Sequence, residues 1–129
     1  SLIKTVVSPY EDKDKARIVI SGADVPLSPD AVSALALLVH EFTTNAAKYG
    51  SLSVPEGRIA VRILTDGSRL ILIWEERDGP QLKAQRGDEG FGSVMTRAAA
   101  EGQLGGTISH HWASEGLTIR LSISRARLS

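Results

Sequence analysis

Three stretches of the chain alternate apolar and polar residues, which is the pattern of strands with one buried face. They are residues 17–27, 57–80 and 107–125. The last two are each long enough for two strands, and each contains a turn signal, Asp66-Gly67 in one and Ser114-Glu115-Gly116 in the other. The pattern therefore predicts one strand and, further along the chain, two hairpins.

Two stretches between these strands predict helices. The first, residues 28–50, has Ser28 as a candidate N-cap, Pro29 in its first turn and Gly50 as a natural stop. The second, residues 93–106, ends at glycines. The order strand, helix, hairpin, helix, hairpin predicts an α/β sandwich, an α+β fold in which helices pack on one face of a mixed, mainly antiparallel sheet.

The composition narrows the kind of protein and leaves the fold prediction unchanged. A chain of 129 residues, 42% of them hydrophobic, is long enough for one domain and too short for two. The formal net charge of zero gives no overall basic field for nucleic acid or membrane binding, and the absence of cysteine excludes disulfides and thiolate metal sites. No apolar run approaches the ~20 residues of a membrane span. Because the first residue is not Met, we expect residues 1–129 to be a single domain of a longer protein.

The second half of the first predicted helix, HEFTTNAAKYG at residues 40–50, carries polar groups that share one face. Glu41 and Asn45 are four residues apart, and Lys48 and Tyr49 follow one turn later. A separate apolar stripe contains Leu35, Leu38 and Phe42. Carboxylate and amide oxygens suit Mg²⁺, and an ammonium group suits a phosphate. On the helix alone, a solvated face with an incidental salt bridge explains these residues equally well.

Two further clusters are weak when each is taken alone. WEERDGP, residues 74–80, ends an apolar strand in acids and a glycine; such a carboxylate can accept a hydrogen bond from an exocyclic amine, and the glycine lets a flat base approach. GFGS, residues 90–93, leads into the second helix and offers backbone N–H groups to an anion. Acidic turns after strands are common, and so are Gly-x-Gly pairs. Neither the P-loop pattern nor the dinucleotide-binding fingerprint is present.

Together and in this order, the three clusters resemble the catalytic, ATP-binding domain of sensor histidine kinases. That domain has the Bergerat (GHKL) fold, which it shares with gyrase, heat-shock-90 chaperones and mismatch-repair ATPases. HEFTTNAAKYG is similar to the N box, WEERDGP to the first glycine box and GFGS to the second. His40 and the pattern Trp74-x-Glu76 resemble the HWE subfamily. The resemblance extends from about residue 17 to residue 123.

The resemblance implies a role for each matching residue. Asn45 would ligate Mg²⁺ at the ATP phosphates, and Glu41, with His40 beside it, would be the catalytic polar residue near the metal and the γ-phosphate. Glu76 takes the place of the usual aspartate that reads the adenine amine. The implied ATP-binding residues are Asn45, Lys48, Tyr49, Glu76, Asp78, Gly79, Gly90, Phe91, Gly92, Ser93 and Thr118. Residues 81–89 would form the ATP lid.

Three features need separate interpretation. Asp78 stands where the subfamily has a glycine, which puts close approach of the backbone in doubt and adds negative charge near the nucleotide. His40-Glu41 also resembles the phosphoacceptor dipeptide of histidine kinases. We reject that interpretation because the dipeptide belongs on an exposed helix of a dimerisation domain. His110 and His111 are adjacent in a strand, so they point to opposite faces and are interpreted as structural.

The implied function is that of a bacterial, cytoplasmic histidine kinase domain. It would bind Mg²⁺–ATP and donate the γ-phosphate to a histidine on an upstream dimerisation domain that is absent from this chain. A response regulator would take the phosphate next. Nucleic acid and membrane are not expected as partners, and the isolated domain is expected to be a monomer. Two alternatives stay open, a degenerate module that senses ATP without transfer and an anti-sigma-type serine kinase of the same fold; Trp74-x-Glu76 and His40 argue against the second.

Overall fold

The computed structural model describes residues 2–7, 17–80 and 97–128, and its centre is a five-stranded sheet. The strands are β1 (Ile18–Gly22), β2 (Arg58–Asp66), β3 (Arg69–Arg77), β4 (Thr107–Ala113) and β5 (Gly116–Ser124). They lie in the order β1-β2-β3-β5-β4, with β1 parallel to β2 and the other neighbouring pairs antiparallel. This arrangement confirms the predicted mixed, mainly antiparallel sheet.

Helical segments precede and connect the strands. They are α1 (Ile3–Val7), α2 (Pro29–Lys48) and a π-helical segment (Ala98–Gln103). α2 begins as predicted, because Ser28 Oγ accepts a hydrogen bond from the Ala31 backbone N–H at 3.2 Å. The π-helical segment lies within the second predicted helix, residues 93–106, and ends three residues before the predicted end; residues 93–96 lie outside the described residues. α1 was not predicted, since five residues are too few for a periodic pattern.

The core lies between α2 and one face of the sheet. α2 buries Ala31, Ala34, Leu35, Leu38, Val39, Phe42 and Ala46, which include the predicted apolar stripe. Alternation along the strands buries Ile59, Val61 and Ile63 of β2, Leu70, Leu72 and Trp74 of β3, and Leu117, Ile119, Leu121 and Ile123 of β5. Glu76 continues the β3 series, so the strand carries its carboxylate to the same face as the core.

The other face of the sheet is rich in polar contacts. Glu75 accepts hydrogen bonds there from Arg62 at 3.0 Å and from Arg77 at 3.3 Å. Arg69 donates to the Ser122 hydroxyl at 2.6 Å. The two faces of β3 therefore differ in character: the face towards α2 is mainly apolar, and the opposite face carries Arg69, Glu75 and Arg77 beside two isoleucines. Within the described ranges, no helix is both long enough and apolar enough to cross a membrane.

Both hairpins turn close to the positions that the sequence predicts. The first turn consists of residues 67–68, and Gly67 has a φ of 59°, a value that favours glycine. The second turn consists of residues 114–115. It is followed by Gly116, which lies so close to the Glu76 backbone carbonyl that a Cβ would collide with it. The second hairpin thus brings its turn to the end of the strand that carries Glu76.

Candidate functional site

The last turns of α2 present the polar groups that the sequence singled out. Asn45 and Lys48 are exposed, and Tyr49 just after the helix is 51% exposed. One turn before Asn45, Glu41 is half-buried, and His40 next to it is exposed. The structure therefore places an acid, an amide and an ammonium group within two turns of one helix end, where a ligand can reach the exposed groups.

Glu76 is a buried carboxylate at the end of β3, with 4% of its surface exposed. The Ser51 backbone N–H donates to its Oε1 at 3.2 Å, and the Trp74 indole N–H donates to its Oε2 at 2.9 Å. Phe42 of α2 packs against Trp74 with ring centroids 5.5 Å apart. Burial raises the pKa of Glu76 above its usual value, and the hydrogen bonds from Trp74 and Ser51 oppose that rise. The carboxylate is therefore held in one orientation by a donor on each oxygen.

Two glycines let the end of α2 approach the end of β3. A Cβ on Gly50 would collide with Glu76 Oε1, and a Cβ on Gly79 would lie 2.6 Å from the Ser51 Cα. A side chain at either position would push these segments apart. The N-box helix and the first glycine box, which are separate in sequence, thus meet through direct backbone contact.

A cavity of about 20 Å³ lies beside Glu76. Its lining residues are Ser51, Glu76, Gly79, Pro80, Ser114, Glu115, Gly116 and Leu117. This volume accommodates roughly one water molecule, so a larger ligand would lie at the mouth of the cavity. At the rim, the pKa of the exposed Glu115 carboxyl is lowered by its own backbone N–H and by the Ser114 hydroxyl. Glu115 is therefore ionised at neutral pH.

Ser51 is a site residue that the sequence did not reveal. Its side chain is 2% exposed, and its hydroxyl has no hydrogen-bond partner among the described residues. The turn residues 114–115 were missed as well. A serine after a helix stop and the turn of a hairpin carry no sequence signal of a site, because only the folding of β3 beside β5 brings them to Glu76.

Asp78 has a left-handed backbone, with a φ of 58°, at the position where the resembled subfamily has glycine. Its Oδ2 accepts hydrogen bonds from Arg58, from Nε at 2.9 Å and from Nη2. Arg58 therefore balances the negative charge that this substitution brings. Because both side chains are largely exposed, the pair itself adds little to stability.

Thr118 lies on the opposite face of the sheet from Glu76. In the register of β3 and β5 it pairs with Glu75, and its Oγ1 is 3.4 Å from Nη2 of Arg77. Glu76 is the next residue along β3 and points to the other face. The structure thus separates Thr118 from the cavity, contrary to the expectation that it supports an adenine site.

The remaining candidates fall into two groups. Gly90, Phe91, Gly92 and Ser93, and the proposed lid at residues 81–89, lie outside the described residues. His110 and His111 belong to β4, where they pair with successive residues of β5 and so point to opposite faces, as predicted. His110 stacks with Trp112 at a centroid distance of 6.3 Å. This stacking agrees with the interpretation of His110 as structural.

Comparisons with solved structures identify the class of fold, whereas no family model matches the chain. The chain superposes on the catalytic domain of histidine kinase ThkA with a TM-score of 0.70 at 14% identity, covering 95% of this chain and 90% of that one. It superposes on the blue-light activated histidine kinase EL346 of Erythrobacter litoralis with a TM-score of 0.77 at 19% identity, covering 97% of this chain and 41% of that one. The fold is that of a histidine kinase catalytic domain.

Curated relatives give the same class from the sequence. The chain is 32% identical over 124 residues to blue-light-activated histidine kinase 1 of Erythrobacter litoralis, covering 95% of this chain and 34% of the relative. It is 32% identical over 127 residues to the blue-light-activated histidine kinase of Rhizobium johnstonii, covering 97% of this chain and 36% of the relative. The chain thus spans about a third of the length of these relatives. These similarities confirm the resemblance to histidine kinases that the motifs indicate.

Proposed function

We propose that this chain is the ATP-binding catalytic domain of a sensor histidine kinase in two-component signalling. It binds Mg²⁺–ATP and donates the γ-phosphate to a histidine on a dimerisation domain elsewhere in a longer protein. The observation that carries the proposal is the junction of α2 and β3. There the buried Glu76 lines a cavity next to a helix end that exposes Asn45 and Lys48. The fold and the relatives support the same conclusion.

The residue types at the end of α2 fit a magnesium ion bound to a triphosphate. Asn45 and Glu41 offer carboxamide and carboxylate oxygens, and Mg²⁺ takes one or two such protein ligands together with phosphates and waters. Lys48 offers an exposed ammonium group to the phosphates. When bound, the metal would neutralise the negative charge of the phosphate chain. By the resemblance, residues 90–93 would add backbone N–H groups to the phosphates.

Glu76 would hold the adenine end of the nucleotide. Trp74 and Ser51 each use one acceptor position of its carboxylate, which has about four when ionised, so positions remain for the exocyclic amine of adenine. Gly79 lets its segment lie directly against Ser51 beside Glu76, and the exposed Tyr49 would border the nucleotide. Fixing the nucleotide at both ends aligns the γ-phosphate, and alignment with charge stabilisation supplies most of the catalysis of phosphoryl transfer.

The acceptor and the regulator belong to other parts of the system. His40 is next to Glu41 in α2, where we assign it the role of orienting its neighbours and not of accepting phosphate. A solved complex of histidine kinase ThkA with the response regulator TrrA superposes with a TM-score of 0.69 at 14% identity, covering 97% of this chain and 40% of that one. We propose a response regulator as the downstream partner here too, and the bacterial cytoplasm as the place of reaction.

A module that binds ATP without transferring phosphate is the second candidate function. Asp78 favours it, because the subfamily glycine is replaced by an acid beside the nucleotide position. Two observations weaken that support: Arg58 pairs with the Asp78 carboxylate, and residue 78 keeps the left-handed backbone that a glycine would adopt. We therefore propose phosphotransfer as the first candidate function and ATP binding without transfer as the second.

Calorimetric titration with a non-hydrolysable ATP analogue tests the proposal. We expect Mg²⁺-dependent binding by the wild-type chain and binding weakened by at least about ten-fold in Asn45→Ala, because that variant loses a metal ligand. Ser109→Ala, an exposed change on β4, is the control and should bind as the wild type does. No binding by the wild type at millimolar analogue would refute the assignment of the site.

A further inference from the structure

The Ser51 hydroxyl is buried next to the Glu76 carboxylate without a hydrogen-bond partner in the described part of the chain. The backbone of the same residue is tightly fixed: its N–H donates to Glu76 at 3.2 Å, and its carbonyl accepts from the Arg17 guanidinium at 3.4 Å. These two hydrogen bonds hold the Ser51 backbone beside the Glu76 carboxylate. A buried hydroxyl that no described protein group uses is available to a ligand, or to a water in the adjoining cavity.

We infer that Ser51 is a second nucleobase-recognition residue, which acts beside Glu76. The inference rests on the function proposed above and deepens it. Adenine presents an exocyclic amine as donor and, next to it, the ring nitrogen N1 as acceptor. Glu76 can accept from the amine, while the Ser51 hydroxyl donates to N1. The pair thus matches the donor and acceptor order of the adenine edge.

The small size of the cavity determines where the adenine base can lie relative to Ser51. A volume of about 20 Å³ is too small for a purine ring and is enough for about one water. The base therefore lies at the mouth of the cavity with its edge inward. Ser51 reaches N1 directly or through a single water in the cavity, and a bridging water is nearly as favourable as a direct hydrogen bond.

Thr118 is the rival hydroxyl, since the sequence resemblance gave it the supporting role at the adenine site. Its Oγ1 is near Arg77 on the outer face of the sheet, the face away from α2, whereas Ser51 lines the cavity together with Glu76. Among residues 2–7, 17–80 and 97–128, only Ser51 combines a buried hydroxyl with a place in this cavity. The geometry thus assigns the role of hydroxyl donor at the adenine site to Ser51, in the turn that follows α2, and not to Thr118 of β5.

Two measurements on the 129-residue chain test the inference. The first is binding of an ATP analogue and of its 1-deaza counterpart, which lacks N1. We expect Ser51→Ala to weaken binding of the ATP analogue by about three- to ten-fold, the effect of one hydrogen bond. The 1-deaza analogue should bind the wild type and Ser51→Ala equally, because without N1 it can form this hydrogen bond with neither protein.

The second measurement is thermal unfolding without nucleotide, with Ser122→Ala as a matched control. Ser122 is also buried, at 6% exposure, but its hydroxyl accepts a hydrogen bond from Arg69 at 2.6 Å. We expect Ser122→Ala to lower the midpoint temperature of unfolding. We expect Ser51→Ala to leave that temperature unchanged or to raise it. A lower midpoint in Ser51→Ala would mean that the hydroxyl already has a partner within the protein, and the inference would be wrong.

The outcomes separate this inference from the proposed function. If the wild type binds the ATP analogue and Ser51→Ala binds it equally well, the inference fails and the function stands. If Thr118→Ala, and not Ser51→Ala, removes the preference for the analogue with N1, the inference fails in the same way. If the wild type binds no analogue, the proposed function fails and the inference with it.

Discussion

At the scale of single residues, Glu76 shows how burial and hydrogen bonding compete at one carboxyl group. Burial raises the pKa of Glu76 and is the larger effect, while the donors Trp74 and Ser51 oppose it. In the unfolded chain the carboxyl has its usual pKa of 4.5. Because the folded-state pKa is the higher one, the contribution of Glu76 to stability is complete below pH 4.5 and is lost as the pH rises through the folded-state pKa.

Comparison of the wild type with Glu76→Gln measures this effect. We expect the free energy of unfolding of the wild type, relative to that of Glu76→Gln, to be largest in acid and to fall as the pH rises. Each unit by which the pKa is raised corresponds to about 1.4 kcal/mol. Urea unfolding of both proteins over a pH series gives the difference, in which the other titrating groups cancel. A difference that grows with pH would show that the two donors outweigh burial.

At the scale of elements, the site depends on how closely the end of α2 packs against the end of β3. Gly50 is the contact point, and its place against Glu76 Oε1 leaves no room for a Cβ. We expect Gly50→Ala to lower the free energy of unfolding by about 1–3 kcal/mol, because the buried carboxylate must move and release its hydrogen bonds. Chemical denaturation measures the loss, and titration with the ATP analogue should show weaker binding.

Gly102→Ala is the matched control for Gly50→Ala. A Cβ on Gly102 meets nothing within 4 Å, and the residue has no positive φ. Replacement there should be neutral or stabilising by less than about 1 kcal/mol, since alanine restricts the unfolded chain. Equal losses in the two variants would mean that the contact of Gly50 with Glu76 is not what requires a glycine.

The elements differ in how far the sequence alone could predict them. α2 was predicted to within a residue or two, because Ser28, Pro29 and Gly50 are local signals that agree with one another. The strands and hairpins were also predicted from local signals, namely the alternation of apolar and polar residues and the turn residues. The cavity could not be predicted, because it depends on the register of β3 with β5, which joins residues such as Glu75 and Thr118 that are far apart in the chain. The same register placed Thr118 on the unexpected face.

At the scale of the whole molecule, the candidate chemistry is concentrated at one end of the sheet. The end of α2, the end of β3 and the turn between β4 and β5 meet around Glu76. The outer face of the sheet carries ion pairs such as Arg62 with Glu75 and takes no part in this cavity. The described residues thus contain the proposed nucleotide site, and the chain covers only about a third of its curated relatives. A phosphoacceptor is accordingly sought outside this chain.

Phosphorylation assays on the isolated chain and on the longer protein test whether the phosphoacceptor lies outside these residues. With ATP labelled at the γ-phosphate and Mg²⁺, we expect no acid-labile label on the 129-residue chain, because the proposed role of His40 is to orient its neighbours and not to accept phosphate. The longer protein should gain label on a histidine outside these residues and lose it in Asn45→Ala, since the metal ligand is missing. His110→Ala, which removes the imidazole stacked on Trp112, should keep the label. Label on the isolated chain that disappears in His40→Ala would reverse the assignment and make α2 the acceptor helix.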